Sequence, residues 1–492
     1  MPLNTVMILS RGQRVGPLFS EIGRALSRDC RVVGVIEESE RALWQSMPGA
    51  EIMTLAEATQ LAGKAARDTS LERVSAIEKE TGLSLYQAAR NYLLYGRMHS
   101  EIFGWQKRPW RWQSEAEIVE EYVHAYAALR HLFDTYAPDI VLLEAPDHIY
   151  AALAQVMAYQ RGKLLLGIYF APLAGDCSMF LYTGFQPINV LMRYYYEHPD
   201  AIPADARARA LEMIANVRDR GPPQISYVAQ MRERSRRIVG PMLRKAGAAV
   251  VSRQQWSRLA PTAVARRLGI LRKELWLRRH LRHDIPDARF VLFFMQHQPE
   301  ASLTTQVPHQ IDQMQVIEQL AVNAPAGWRI VVKEHPRTYP ARGEAYFRPL
   351  CDLPNVHLCH PAVPSRALLE KAEVVVAMTG SVGMEALFMG KKVAVVGRPY
   401  YAFFPGIGRL DRPGDLFDLL ADPEGMKVEP QALEQFAAAY YASVFEAGAL
   451  SPDGMWPIPE QGGANIAEAL RRHLVLIAQG RLRPTDYPPF QR

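Results

Sequence analysis

The chain has no pair of cysteines at CxxC spacing. Its four cysteines, Cys30, Cys177, Cys351 and Cys359, are scattered. That excludes a zinc ribbon and a disulfide framework and makes a reducing compartment the default. Long apolar runs are missing as well. The longest, around LLLGIYFAPLA at 164–174, falls short of the ~20 residues a bilayer-spanning helix needs. The start, MPLNTVMILSRG, carries neither a positive n-region nor a small-residue cleavage site, so no secretory signal is expected. GxxxxGK[ST], HExxH and a completed GxGxxG do not occur, which argues against a P-loop ATPase and a zincin-type protease. No two aspartates stand at i, i+2, so one common carboxylate clamp for a divalent metal is lacking, and no metal site is expected. There is no short-period repeat or low-complexity tract, which argues against a solenoid.

What is present fits a folded globular protein. Of 492 residues, 49% are hydrophobic and 22% charged. The length exceeds one ordinary core and predicts two domains. Net charge is +6 but uneven: residues 232–282 hold 15 Lys/Arg against Glu233 and Glu274, leaving the remainder net negative. Trp256, Leu271, Leu275, Trp276 and Leu277 interleave with these charges. Such a segment suits an anionic membrane surface, the alternative being a solvated helical face. No aromatic-glycine RNA motif and no helix-turn-helix signal accompanies it, so nucleic acid is not expected as a partner.

Strand and helix patterns alternate along the chain. NTVMILS (4–10), a helix near Pro17–Leu26 and CRVVGVI (30–36) form a βαβ opening. A mostly helical insertion spans about 55–135. DIVLLE (139–144), a helix ending at Gly162 and KLLLGIYF resume the rhythm. Residues 195–285 read as helical, polar and basic. A second series follows: ARFVLFFM, WRIVV, NVHLC, VVVAM and KKVAVVG as strands with helices between. The expectation is an α/β fold of two Rossmann-like halves with helical insertions and C-terminal helices. The expected domains are 1–285, including the insertion and the basic segment, then 286–455. The C-terminal helix and tail, 456–492, should pack back on the first domain.

Ligands of open α/β sheets bind beyond the carboxyl ends of the strands. Three polar clusters stand there in the second half: Gln296-His297-Gln298-Pro299-Glu300, Lys333-Glu334-His335-Pro336, and Thr379-Gly380-Ser381-Val382-Gly383 with Glu385 behind. Any one would read as structural, a histidine after a strand being more often a plain hydrogen bonder. Three at successive strand ends should face one crevice. Helix N-termini attract phosphate. Gly380 and Gly383 would allow close backbone approach, and Thr379 and Ser381 add hydroxyls. Lys333 and His335 would donate to the same phosphate. Glu385, one turn on, would accept from ribose hydroxyls, its plainer role being helix capping.

QHQPEAS (296–302), VKEHPR (332–337) and TGSVGMEALFMGKKVAVVGRPYY (379–401) together resemble the bacterial capsule polysaccharide biosynthesis family, which includes capsule β-Kdo transferases. The resemblance covers about 290–401, and LSLYQAARNYLLYGR (83–97) is loosely similar. It implies a GT-B fold, with two Rossmann-like domains facing a cleft and a nucleotide sugar in the second. It also implies metal-independent transfer with no cofactor, from a donor such as CMP-Kdo to a glycolipid or glycan acceptor. His335-Pro336 resembles the family's phosphate-contacting HP pair, Ser381 its small hydroxyl residue and Glu385 its helix acid. TGS departs from the commoner GT or GS, which leaves open which hydroxyl binds. The site would be cytoplasmic, at the inner membrane face. In the first half, Glu144 and Asp147 are the best-placed carboxylates, with His148 and Asp176 following. Either would serve as general base or as nucleophile; Asp147 would otherwise cap the next helix. Alternatives are a nucleotide-sugar epimerase, a CDP-polyol phosphotransferase and a non-catalytic assembly protein.

Overall fold

The computed structural model describes residues 4–12, 15–45, 47, 49–103, 114–174, 178–220, 268–269, 271–298, 300–307, 310–336, 338–339, 342–412, 414–447 and 461–490. Most of the basic segment, 232–267, and Asp176 lie outside them. The fold is α/β, with two sheets rich in parallel strands. In the first half β1 (Thr5–Leu9), β2 (Arg31–Ile36), β3 (Ala50–Thr54), β4 (Ile140–Leu143) and β5 (Leu164–Phe170) run parallel, and β6 (Ser178–Tyr182) runs antiparallel to β5. In the second half β7 (Phe290–Phe294), β8 (Arg329–Lys333), β9 (Val356–Cys359), β10 (Val374–Ala377), β11 (Lys392–Val395) and β12 (Ile407–Arg409) are all parallel. Runs such as FVLFF and VVVA are buried on both faces, which is why they read as continuous apolar segments rather than alternating ones.

Strand order decides where a ligand can sit. The first sheet is ordered β6-β5-β4-β1-β2-β3 and the second β12-β11-β10-β7-β8-β9. Each chain path starts in the middle, fills one side, then returns to fill the other. The order therefore reverses between β1 and β4 in the first sheet and between β7 and β10 in the second. These are the topological switch points at which open sheets leave a crevice.

The chain crosses back after the second sheet. The helix Pro430–Ser443 buries Leu433, Phe436 and Tyr440. It packs on two first-half helices, Val190–Glu197 and Ala204–Arg220. Asn189 Nδ2 donates to Ser443 Oγ at 2.9 Å and Tyr441 donates to Leu173 O at 3.0 Å. A two-residue strand, β13 (Phe445–Glu446), then extends the first sheet beside β6. So 430–447, expected within the second unit, pack with the first. The helix Gly462–Ala478 lies on the helix Gly16–Leu26. A side chain at Gly463 would collide with Glu21, and Arg471 grips Asp29 through two bonds of 2.8 and 2.9 Å.

His473 sits inside that helix contact with no exposure. Nδ1 pairs with Ala469 O at 2.7 Å, and burial holds the imidazole down at about 4. The unfolded chain binds this proton below about pH 6.5 while the folded chain does not. Stability should therefore fall as pH drops from about 6.5 to 4, by on the order of 3 kcal/mol from this group. Urea unfolding across that range, compared with His473→Leu, checks it: the variant should show a shallower acid slope.

Candidate functional site

At the second sheet's switch point, the loops after β7 and β10 are bonded directly. Thr379 Oγ1 donates to Gln296 Oε1 at 2.8 Å. Gln296 Nε2 reaches Ser302 Oγ at 2.6 Å and Glu300 Oε2 at 3.1 Å. On the β8 side, His297 Nδ1 pairs with Thr338 Oγ1 at 3.0 Å, and the His297 and His335 rings are 5.7 Å apart. Five expected residues from three strand ends (Gln296, His297, Glu300, His335 and Thr379) are thus linked by hydrogen bonds or ring contacts at this switch point, and Gly380 follows Thr379 in the chain.

A buried ion pair fixes these loops. Arg342 and Glu334 side chains are 0% and 1% exposed and 2.6 Å apart. The Arg342 fork also donates to Gln296 O at 2.8 Å and Gln298 Oε1 at 3.2 Å. Gln313, from the helix Gln313–Asn323, accepts from Gln296 N at 2.7 Å and donates to Gln298 Oε1 at 3.1 Å. One guanidinium therefore staples the loop after β8 to the loop after β7. Its planar fork suits that geometry, which a single ammonium cannot match.

Lys333 is not at the mouth of the crevice. It is 3% exposed, ends β8, and donates to Ser365 Oγ at 2.7 Å. Its charge is felt by Glu385 from a distance.

The corner TGSVG divides differently from the expectation. Its helix spans Val382–Phe388, and Ser381 is the N-cap residue without a capping side-chain bond. Ser381 Oγ instead donates to Glu385 Oε1 at 3.0 Å. Burial raises the Glu385 carboxyl, with Ser381 and Lys333 opposing only in part. The hydroxyl and the acid are therefore coupled. Gly383 is small for a structural reason: a Cβ there would strike the Tyr401 hydroxyl, which donates to Gly380 O at 2.6 Å. Gly380 has open space: a Cβ added to it would meet only Val382 Cγ1, at 3.9 Å. Gly383→Ala should cost about 1–3 kcal/mol by overpacking, while Gly380→Ala should leave stability unchanged within about 0.5 kcal/mol. Chemical denaturation of the two variants separates these glycines.

The first sheet carries its own polar cluster at its switch point. Arg11 follows β1, and Glu144, Asp147 and His148 follow β4. Arg11 Nη1 donates to Asp147 Oδ1 at 2.7 Å and lies 4.0 Å from Glu144. Asp147 does not cap the helix Ile149–Gln160; His148 holds the cap position. His148 Nδ1 pairs with Asp147 Oδ1 at 2.7 Å, which leaves Nε2 buried without a partner. Burial opposes ionisation of Asp147, yet His148 and Arg11 outweigh it and hold the carboxyl below its usual range. Burial likewise pushes the His148 imidazole down, against the pull of Asp147. The Tyr150 ring meets His148 edge-on at 4.3 Å and Tyr92 is 6.2 Å away.

Aromatic rings join the two clusters. Tyr182, whose phenol is held well above its usual range by burial and then by Asp147, packs on Tyr169 at 5.5 Å. Tyr169 contacts Tyr400 at 5.8 Å and accepts from Gln306 Nε2 at 3.5 Å. The strand-end rule would have found Arg11, since it follows β1 directly. Arg342 and Gln313 gave no such signal, because each acts across the fold from a loop or helix without a motif; Tyr401 ends the 379–401 stretch, but nothing in its position there linked it to Gly383.

Residues 278–441, a third of the chain, match the family described as capsule polysaccharide biosynthesis protein. Over that stretch this chain is similar to the capsule polysaccharide biosynthesis family. The family segment contains every candidate from Gln296 to Glu385 and excludes Glu144 and Asp147. A curated relative, the capsule polysaccharide modification protein LipA of Neisseria meningitidis serogroup B, is 30% identical over 122 residues. That stretch is 25% of this chain and 17% of LipA, so the chain spans well under two thirds of that relative. Among solved structures, the β-Kdo 2,7 transferase of Thermosulfurimonas dismutans KpsC is similar over 69% of this chain and 88% of its own, at 13% identity and a TM-score of 0.34. The UDP-GlcNAc 2-epimerase of Neisseria meningitidis, bound to UDP-GlcNAc, covers 97% and 100%, at 12% and 0.26. The fold assignment rests on strand order, not on these likenesses. Among the described residues no helix is long and apolar enough to cross a membrane.

Proposed function

We propose that the chain is a GT-B glycosyltransferase of capsule or other surface-polysaccharide assembly, moving a sugar from a nucleotide donor to a glycolipid or glycan. One observation carries this reading: each sheet holds a bonded polar cluster at its switch point, and aromatic rings connect the two. The donor lies on the second sheet. Gly380, Ser381, His297 and His335 face its phosphate, and Glu385 accepts from its ribose. A CMP-linked sugar such as CMP-Kdo is the donor the family resemblance favours, transferred without a divalent cation at the cytoplasmic membrane face.

The acceptor lies on the first sheet. Asp147 already serves Arg11 and His148, so it orients rather than reacts, and His148 Nε2 takes the acceptor hydroxyl's proton. The acceptor oxygen then bonds to the anomeric carbon, and the nucleotide phosphate leaves with the electron pair of the bond that breaks. Glu144 remains as the carboxylate for a nucleophilic route. Tyr92 belongs to the helix Arg90–Phe103, which is tied to the second half by Asn91 with Thr304 and by Arg90 with Val307 O at 3.0 Å.

The test is a thermal-shift and calorimetry panel with CMP, CDP, UDP, GDP and their sugars. One nucleotide should stabilise the fold. Glu385→Gln should weaken nucleoside and nucleotide alike; Gly380→Ala should weaken the nucleotide alone. A folded sample that binds none of them overturns the proposal. Product analysis distinguishes an epimerase, which needs no acceptor, and turnover undiminished in EDTA checks metal independence.

A further inference from the structure

The helix at 271–280 has two apolar faces where a surface helix should have one. Leu277 and Leu281 enter the second half's core at 0% and 3% exposure. On the opposite side Leu268, Leu271 and Leu275 are 61%, 49% and 58% exposed. Their spacing of three and four residues places them on one stripe. Arg272, Arg278 and Arg279 stand on the same side, and the first two have 84% and 66% of their side chains exposed. Glu274 pairs with Arg278, and Arg272 lies 4.0 Å from Glu344.

We infer that this stripe docks the protein on an anionic lipid bilayer. A leucine row flanked by arginines matches the boundary between acyl chains and phosphates: leucines enter the apolar layer while guanidinium groups stay with the headgroups. Charge favours that occupant. The helix ends a stretch, 232–282, with 15 basic residues and two acidic ones, and each basic group near an anionic surface adds attraction that salt screens. The inference is independent of the transferase reading, since none of these side chains lines either polar cluster.

Co-sedimentation of the full chain with vesicles of phosphatidylcholine, alone and with phosphatidylglycerol, tests it. Binding should require phosphatidylglycerol and weaken with added NaCl. L271E/L275E should bind at least about tenfold more weakly with the melting temperature and nucleotide affinity of the parent. Arg278→Gln with Arg279→Gln should also weaken binding and flatten its salt dependence. Unchanged vesicle binding by L271E/L275E overturns the inference, as does no binding to anionic vesicles. A parent dimer in analytical ultracentrifugation that L271E/L275E abolishes, without vesicle binding by the parent, would assign the stripe to a second copy instead.

Discussion

Arg342→Met should lower unfolding stability by about 3–5 kcal/mol, because it strands the Glu334 carboxylate in a dry interior. Glu334 is 1% exposed and its charged partner is 2.6 Å away. Burial already lifts the Glu334 carboxyl above its usual range, against the pull of Arg342. Removing that pull leaves the burial penalty opposed only by the His335 N–H. Combining Arg342→Met with Glu334→Gln should recover much of the stability, since no unpaired charge remains. It should not recover nucleotide binding. Gln296 O and Gln298 Oε1 would still lack the donors that hold the loop after β7 against the loop after β8. Arg342→Lys should fall between, keeping a charge for Glu334 but losing the fork. Urea unfolding paired with nucleotide titration reads both effects. A single variant within about 1 kcal/mol of the parent would show that the pair does not hold these loops.

His148→Gln should cut turnover by about 10²–10⁴-fold, the range for losing a positioned proton acceptor, and leave nucleotide affinity unchanged. Asp147→Asn should do comparable damage, because its amide can present a donor where Nδ1 needs an acceptor. The double variant should be little worse than either alone, as for residues acting as one unit. The pH profile gives a sharper sign. Burial depresses His148, so activity should fall on the acid side of the usual histidine range, as Nε2 becomes protonated. Asp147 pulls that value upward, so Asp147→Asn should move the acid limb to lower pH. A merely structural aspartate would reduce activity without moving the limb.

The central strands were legible because a strand buried on both faces is written as an apolar run. NTVMILS, DIVLLE, ARFVLFFM and VVVAM each lie within two residues of the observed strands. β3, AEIMT, escaped because it is half-buried, carries Glu51 as its second residue and runs straight into the helix Leu55–Leu61. β6, β12 and β13 lie at or beside sheet edges, where two to five residues of pairing leave little pattern. The polar residues of the second half's switch point were legible for a positional reason: the chain spends polar residues directly after buried strands. Their division of labour was not. The sequence assigns ligand approach equally to Gly380 and Gly383, and only the Tyr401 ring, eighteen residues beyond Gly383, tells them apart. His148 was visible as a neighbour of two carboxylates, but its free Nε2 exists only once Asp147 has claimed Nδ1.

The return of 430–447 and 462–478 to the first half has a consequence for biosynthesis. Domains emerging from a ribosome generally fold in order, at ~5–20 residues per second. Here the helices Gly16–Leu26, Val190–Glu197 and Ala204–Arg220 bury faces against partners synthesised much later. From emergence of Arg220 to emergence of Ser443, those faces wait for about ten seconds or more at such rates. The second sheet has all its strands before the first has its cover. The nascent first half therefore carries uncovered apolar surface through that interval, and a ribosome stalled between the two sheets would release a chain with that surface still open.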